Sequence, residues 1–63
     1  MIKDPNILLS FINTKLRDFY SSLDLLCEDL DLDKEEIISI LKSIDYYYDE
    51  KDNTFKLLKK DEK

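Results

Sequence analysis

The chain contains no histidine and no glycine, and it has one cysteine and one proline among its 63 residues. Without histidine there is no imidazole to bind a metal or to act as an acid–base catalyst. Without glycine there is neither a phosphate-binding P-loop nor a dinucleotide-binding fingerprint. A single cysteine, Cys27, cannot form an internal disulfide, which fits a reducing compartment. These absences exclude most common arrangements for catalysis and cofactor binding.

Long apolar runs are also missing. No segment approaches the roughly 20 apolar residues that cross a bilayer, and residues 1–5 lack the charged and apolar regions of a signal peptide. We therefore expect a cytoplasmic protein with no membrane partner. A chain this short also leaves little room for a substrate cleft. We expect no catalytic residue, cofactor or metal, and hence no enzyme.

The apolar content of 43% is sufficient for a folded core, even though 40% of the residues are charged. The length corresponds to one domain, which we assign to residues 1–63. Apolar residues with helical spacing predict three helices, over residues 5–20, 23–30 and 34–44.

The first predicted helix begins with Asp4 as N-cap and Pro5 at its first position. The spacing defines a central apolar stripe with two flanking residues, and a polar face lies opposite. The stripe is Leu8, Ile12, Leu16 and Phe19, the flanking residues are Leu9 and Tyr20, and the polar face is Ser10, Asn13, Thr14 and Arg17. Ile7 and Phe11 fall to one side of the stripe, where they could contact the C-terminal hairpin or a partner.

The second and third helices have the layout of a helix-turn-helix. Cys27 is the small residue at the crossing, and Leu32 is the apolar centre of the turn. Ser22 is the predicted cap of the second helix. Asp33 is the predicted cap of the third, with Glu36 completing a capping box. Asp31 and Asp45 stand at the helix ends where glycine is usual, and aspartate tolerates a left-handed backbone there.

Residues 46–57 change to strand periodicity and predict a two-stranded hairpin around the polar turn 49–53. Alternation along the first strand places the side chains of Tyr46 and Tyr48 on the same face. Alternation along the second strand does the same for Phe55 and Leu57. One of the hairpin's faces must pack on the helices for the strands to be stable. We expect residues 58–63 to be a frayed tail. The predicted fold is mainly α, a small α+β domain with a three-helix helix-turn-helix core followed by a hairpin, similar to a winged helix.

The chain also resembles a family of very small bacterial proteins known only as a domain of unknown function. The residues that carry the resemblance are Asp4-Pro5, residues 8–18, Tyr20 to Leu23, Leu26-Cys27, Asp31 to Asp33, Glu36, Tyr48-Asp49 and Asn53 to Phe55. The resemblance implies a single small domain in a bacterial cytosol. It implies no catalytic or binding residues.

Two functions remain open. The helix-turn-helix suggests a DNA-binding regulator, whose third helix would enter the major groove. However, residues 21–55 contain three lysines against eleven acidic residues, a net charge of −8 that would repel phosphates. The charge therefore disfavours nucleic acid and favours an interaction domain with a protein partner of unknown identity, or a weak homodimer. The apolar residues not placed in the core are the candidate contact surface: Ile7, Phe11, Ile38 and Tyr47.

Other sites are weaker hypotheses. Asp29, Asp31 and Asp33 match the opening spacing of an EF-hand, but Lys34 stands where glycine is required, so we interpret them as solvated acids. The acidic neighbours of Cys27 are expected to raise its pKa, which is the wrong direction for a nucleophile.

Overall fold

A computed structural model of the protein describes residues 2–58. Three helices are followed by a two-stranded antiparallel hairpin, which confirms the predicted α+β fold. The elements are α1 (Pro5–Asp18), α2 (Leu23–Leu30), α3 (Lys34–Lys42), β1 (Tyr46–Asp49) and β2 (Thr54–Leu57). Within residues 2–58, no helix has the length and apolar character needed to span a membrane. The predicted tail lies outside the described residues from position 59 onward.

All three predicted N-caps are confirmed. The carboxylate of Asp4 accepts hydrogen bonds from the backbone N–H groups of Asn6 and Ile7, and Pro5 occupies the first turn. The hydroxyl of Ser22 accepts from Leu25 N–H. Asp33 caps α3 by accepting from Glu35 N–H at 3.0 Å. These caps satisfy N–H groups that have no acceptor inside the helix.

The capping box expected at Glu36 is not observed within the described residues. The carboxylate of Glu36 accepts a hydrogen bond from Lys3 Nζ at 2.9 Å instead. Asp33 also bonds the N–H two residues on rather than three. A lysine brought close by the N-terminal segment offers a charged donor, which competes with the backbone N–H that a capping box would use.

The predicted C-terminal ends of α1 and α3 were each two residues too long. α1 ends at Asp18, and Phe19 is its C-cap with 68% of its surface exposed, so its placement in the apolar stripe was wrong. The cause lies far along the chain. Asn53 Nδ2 donates to the carbonyls of Leu16 and Tyr20 at 3.2 and 2.8 Å. In a continued helix, Leu16 O would accept from Tyr20 N–H, which bonds Lys15 O instead.

α3 ends at Lys42 and is followed by a tight turn. Ile44, which was assigned to the helix, is half-buried in that turn. Asp45 has φ 65° and Asp31 has φ 58°, which confirms the left-handed backbone predicted at both positions. Asn53 has φ 53° as well. Aspartate and asparagine adopt this conformation more readily than other non-glycine residues, so a chain without glycine can still make these turns.

The core is a single apolar cluster drawn from all three helices and β2. Its buried members are Leu8, Ile12, Leu16, Leu23, Leu26, Cys27, Ile37, Leu41 and Phe55. Cys27 and Phe55 are buried as predicted, at 6% and 3% exposure. Leu32, Tyr46 and Tyr48 are half-buried against this cluster. Leu57 was expected to share the inward face with Phe55, but it is 52% exposed because β2 ends there at the edge of the core.

The hairpin docks on α1 through a polar residue. Asn13 Oδ1 accepts from Phe55 N–H at 2.8 Å, and Asn13 Nδ2 donates to Phe55 O at 3.1 Å. Ile7 and Phe11, which were expected to contact the hairpin or a partner, take no part in these two bonds: Ile7 is exposed, and Phe11 lines a hollow with Leu30 and Leu32. The side chain of Asn13 presents one acceptor and one donor, as a neighbouring strand would, so the polar face of the helix takes the place of a third strand.

Candidate functional site

An open groove lies between α3 and the hairpin. Three α3 residues spaced four apart, Lys34, Ile38 and Lys42, share one side of the helix and form one wall of the groove. The groove has a volume of about 630 Å³. The rest of its lining comes from the turn after α3, from the hairpin and from the end of β2: Asp45, Tyr46, Tyr47, Tyr48, Glu50 and Leu58. Most of the surface of the groove is apolar, and charged residues lie on both of its sides.

Tyr48 fixes β1 in place beside this groove. Its hydroxyl accepts a hydrogen bond from Leu23 N–H at 3.1 Å and donates to Asn53 Oδ1 at 2.7 Å. Its ring lies against Phe55, with 5.5 Å between ring centroids. Asn53 in turn bonds the carbonyls at the end of α1. One tyrosine and one asparagine thus join the end of α1, the start of α2 and the hairpin, and these contacts set the position of the strand that lines the groove.

The charges around the groove are mixed. Lys34 Nζ lies 2.7 Å from a carboxylate oxygen of Asp24, and this ion pair raises the pKa of Lys34. Lys42 forms no ion pair with residues 2–58. On the hairpin side Asp45 and Glu50 are acidic and exposed. The walls therefore suit a ligand with apolar side chains in the middle and charged groups at its ends.

The structure separates the four residues that the sequence proposed as a contact surface. Ile38 and Tyr47 line the groove, Ile38 half-buried and Tyr47 42% exposed. Phe11 is half-buried in a second, smaller apolar hollow of about 280 Å³. That hollow also contains Ile2, Leu8, Leu30 and Leu32. Ile7 is 57% exposed and lines neither concavity.

The residues of the groove that were not among the four predicted contact residues are Lys34, Lys42, Asp45, Tyr46, Tyr48, Glu50 and Leu58. The sequence does place Lys34 and Lys42 with Ile38 on the outer side of the third helix, but as the side that would meet DNA and not as part of a protein-contact surface. No comparable signal exists for Leu58, which was assigned to the tail. Its N–H donates to Asp45 O at 2.6 Å, which extends the hairpin pairing by one residue.

Most basic residues of the described chain are paired with carboxylates. Seven lie within residues 2–58, and four of these are in ion pairs with carboxylates: Lys3, Arg17, Lys34 and Lys56. Lys15 Nζ lies 5.6 Å from the ring centroid of Phe11 and 4.9 Å from that of Phe19. Lys56 contacts both Asp49 and Asp52 and lowers the pKa of Asp49. The positive charge of residues 2–58 is thus largely compensated by neighbouring carboxylates.

The structure also bears on the two remaining chemical hypotheses, a reactive thiol at Cys27 and a metal site formed by acidic residues. Cys27 is buried, and this desolvation is the main cause that raises the pKa of its thiol, with smaller contributions from Asp24 and Asp33. The predicted direction is correct, although the sequence had attributed it to acidic neighbours. Within residues 2–58, no three acidic or cysteine side chains lie close enough together to hold a metal ion.

Comparison with known proteins gives a family. No curated protein and no solved structure matches the chain. Residues 2–55 match the family described as Domain of unknown function (DUF4250). The matched range includes Asn13, Tyr48, Asn53 and Phe55, the residues whose hydrogen bonds join the hairpin to the helices. Because the match covers most of its 63 residues, the chain belongs to this family of small domains.

Proposed function

We propose that this protein is a non-enzymatic interaction domain that binds a protein partner in the groove between α3 and the hairpin. The groove itself is the observation that carries the proposal. Ile38, Tyr46 and Tyr47 line this groove, next to the buried apolar core. Aromatic residues contribute strongly at protein interfaces because they bury a large area and lose little side-chain entropy. A groove that is apolar in the middle and charged at its sides is typical of peptide recognition.

The pKa shifts support a role without catalysis. Within residues 2–58 the shifted groups are either surface residues next to a bonding partner, such as Lys34 beside Asp24, or the buried thiol of Cys27. A catalytic site would instead bring a shifted acid, base or nucleophile into a cleft. We also propose that the domain works in the cytosol, because its single cysteine is free and buried, as is usual in a reducing compartment.

The charge distribution disfavours the alternative, a winged-helix DNA-binding protein. Lys34 on the outer side of α3 is neutralised by Asp24, and Asp45 and Glu50 flank the strand that would follow the recognition helix. DNA affinity depends chiefly on the number of phosphates that lysine and arginine neutralise. The described face offers few unpaired cations for that purpose.

The proposal is tested by affinity capture from the native cell, read by mass spectrometry, with two matched variants. Tyr47→Glu places a charge in the groove, and Leu25→Glu places one on an exposed apolar residue of α2 outside the groove. The two side chains are 42% and 47% exposed, so both variants should fold, which circular dichroism checks. We expect a partner captured by the wild type to be retained by Leu25→Glu and lost by Tyr47→Glu. Equal capture by both variants would contradict a partner site in the groove.

A further inference from the structure

The two edges of the hairpin differ. Because Asn13 bonds both Phe55 N–H and Phe55 O, these groups point away from β1. In an antiparallel pair the residue opposite behaves in the same way, and Tyr48 is opposite Phe55. The N–H and C=O of Tyr48 therefore point away from β2, and so do those of Tyr46, two residues earlier. The bond from Leu58 N–H to Asp45 O agrees with this alternation.

The outward groups of β1 are unpaired within residues 2–58. No turn, cap or side-chain hydrogen bond there involves the backbone N–H or C=O of Tyr46 or Tyr48, and the alternation assigns the bonds to β2 to Tyr47 and Asp49 instead. Both residues line the groove opposite Ile38. On β2, by contrast, Asn13 closes the edge at Phe55. Proteins generally cover or charge an exposed strand edge because it can pair with another chain. Here one edge is covered, and the other faces an apolar groove.

We propose that β1 receives a third strand, an extended basic segment of a partner protein, along this open edge. The inference rests on the proposed function and specifies how the partner binds. Four backbone groups, the N–H and C=O of Tyr46 and of Tyr48, pair with the incoming strand. Its apolar side chains contact Ile38 and Tyr47, and this combination of backbone pairing and side-chain pockets is the usual form of strand addition.

The charges favour a different protein over a second copy of the chain. A two-fold antiparallel pairing that uses all four groups sets Tyr46 of one copy opposite Tyr48 of the other. The same register sets Asp45 opposite Asp49 at both ends and brings no basic residue of the second copy opposite Asp45, because the lysine nearest Asp49, Lys56, is already paired with Asp49. The chain carries a net charge of −5, and residues 21–55 carry −8. A segment with lysine or arginine opposite Asp45, which forms no ion pair within residues 2–58, is attracted where a second copy of this acidic chain is repelled.

The test uses the intact protein and a library of random ten-residue peptides displayed on phage. An enriched peptide is synthesised in three forms: unmodified, N-methylated at its odd residues, and N-methylated at its even residues. In a strand, alternate N–H groups face opposite sides, so only one methylated form should lose affinity. We expect a loss of about tenfold or more, since two hydrogen bonds are removed. The amides of Tyr46 and Tyr48 should become protected from hydrogen exchange when the unmodified peptide binds.

A variant checks the charge of the occupant. Asp45→Asn keeps a residue that tolerates the left-handed backbone at this position, and it should weaken an enriched basic peptide by about two- to fivefold. Peptides that bind the groove equally well in both methylated forms, or that lose affinity equally in both, would overturn strand addition and leave the groove as a binding site. Failure to enrich any groove-binding peptide would overturn both proposals. Enrichment of acidic rather than basic peptides would overturn the assigned occupant.

Discussion

Asn13 should be essential to stability even though it is a polar residue on a helix surface. Asn13→Ala removes both hydrogen bonds to Phe55, which measure 2.8 and 3.1 Å and are partly buried. A hydrogen bond contributes about 0.5–1.5 kcal/mol, and a buried group left without a partner costs about 1–3 kcal/mol. Because water can reach a partly buried pair, we expect a total loss of about 2–3 kcal/mol.

That loss is large for so small a domain. At about 0.05–0.15 kcal/mol per residue, a chain of this length has a free energy of unfolding of roughly 3–9 kcal/mol. For a domain of this size each kcal/mol shifts Tm by about 4–8 °C, so Asn13→Ala should lower Tm by about 8–24 °C. Asn13→Asp should be at least as harmful, because it keeps the acceptor for Phe55 N–H but sets an anionic oxygen against Phe55 O.

The assay is thermal and urea unfolding followed by circular dichroism, with Thr14→Ala as the matched control. Thr14 is the next residue of α1 and is exposed. The control should unfold within about 0.5 kcal/mol of the wild type, as surface substitutions usually do. If Asn13→Ala unfolds together with Thr14→Ala, the hairpin is held by the burial of Phe55 alone, and the docking role of Asn13 is refuted.

Four further outcomes are expected. A thiol reagent should label Cys27 slowly in native buffer and quickly in denaturant, because burial hides the thiol and raises its pKa; fast native labelling would show that the helix packing is wrong. Since Lys56 holds the pKa of Asp49 below its ordinary 3.8, the stability this contact provides is present above that pH and lost as the pH falls through the lower, folded value. Asp49→Asn should unfold with a weaker dependence on acid pH, and identical pH profiles would refute this role. Micromolar protein should not shift random duplex DNA in a gel at about 50 mM salt, where any attraction is least screened; a shift that weakens steeply with added salt would favour the regulator instead. Sedimentation at high concentration should show weak dimers that Ile7→Glu reduces, and a strictly monomeric profile would exclude self-association through that exposed residue.

Features fixed by neighbouring residues could be predicted from the sequence. The caps Asp4, Ser22 and Asp33 each bond an N–H two or three residues away, so their local sequence was sufficient. The apolar spacing likewise predicted α2 with its observed bounds and the start of α3. The left-handed positions Asp31 and Asp45 followed from residue type at a helix end.

Features fixed by distant residues could not be predicted. α1 ends early because Asn53, more than thirty residues away, takes its carbonyls. Helical spacing only placed Asn13 opposite the apolar stripe, and nothing in the sequence indicated that this position meets β2. The groove depends on the same long-range information. Ile38 and Tyr47 were recognised as apolar residues outside the core, but the open edge of β1 depends on strand register, which periodicity alone does not set.

The bond between Asn13 and Phe55 also has a consequence for how the chain folds. The two residues are 42 positions apart, so their contact closes a loop that contains most of the molecule. Helices can form within about a microsecond from neighbouring residues, whereas a contact across so long a loop must first overcome the entropy of closure. Docking of the hairpin is therefore a late step. Substitutions at Asn13 should chiefly accelerate unfolding and leave the refolding rate nearly unchanged, giving φ-values near zero in kinetic experiments.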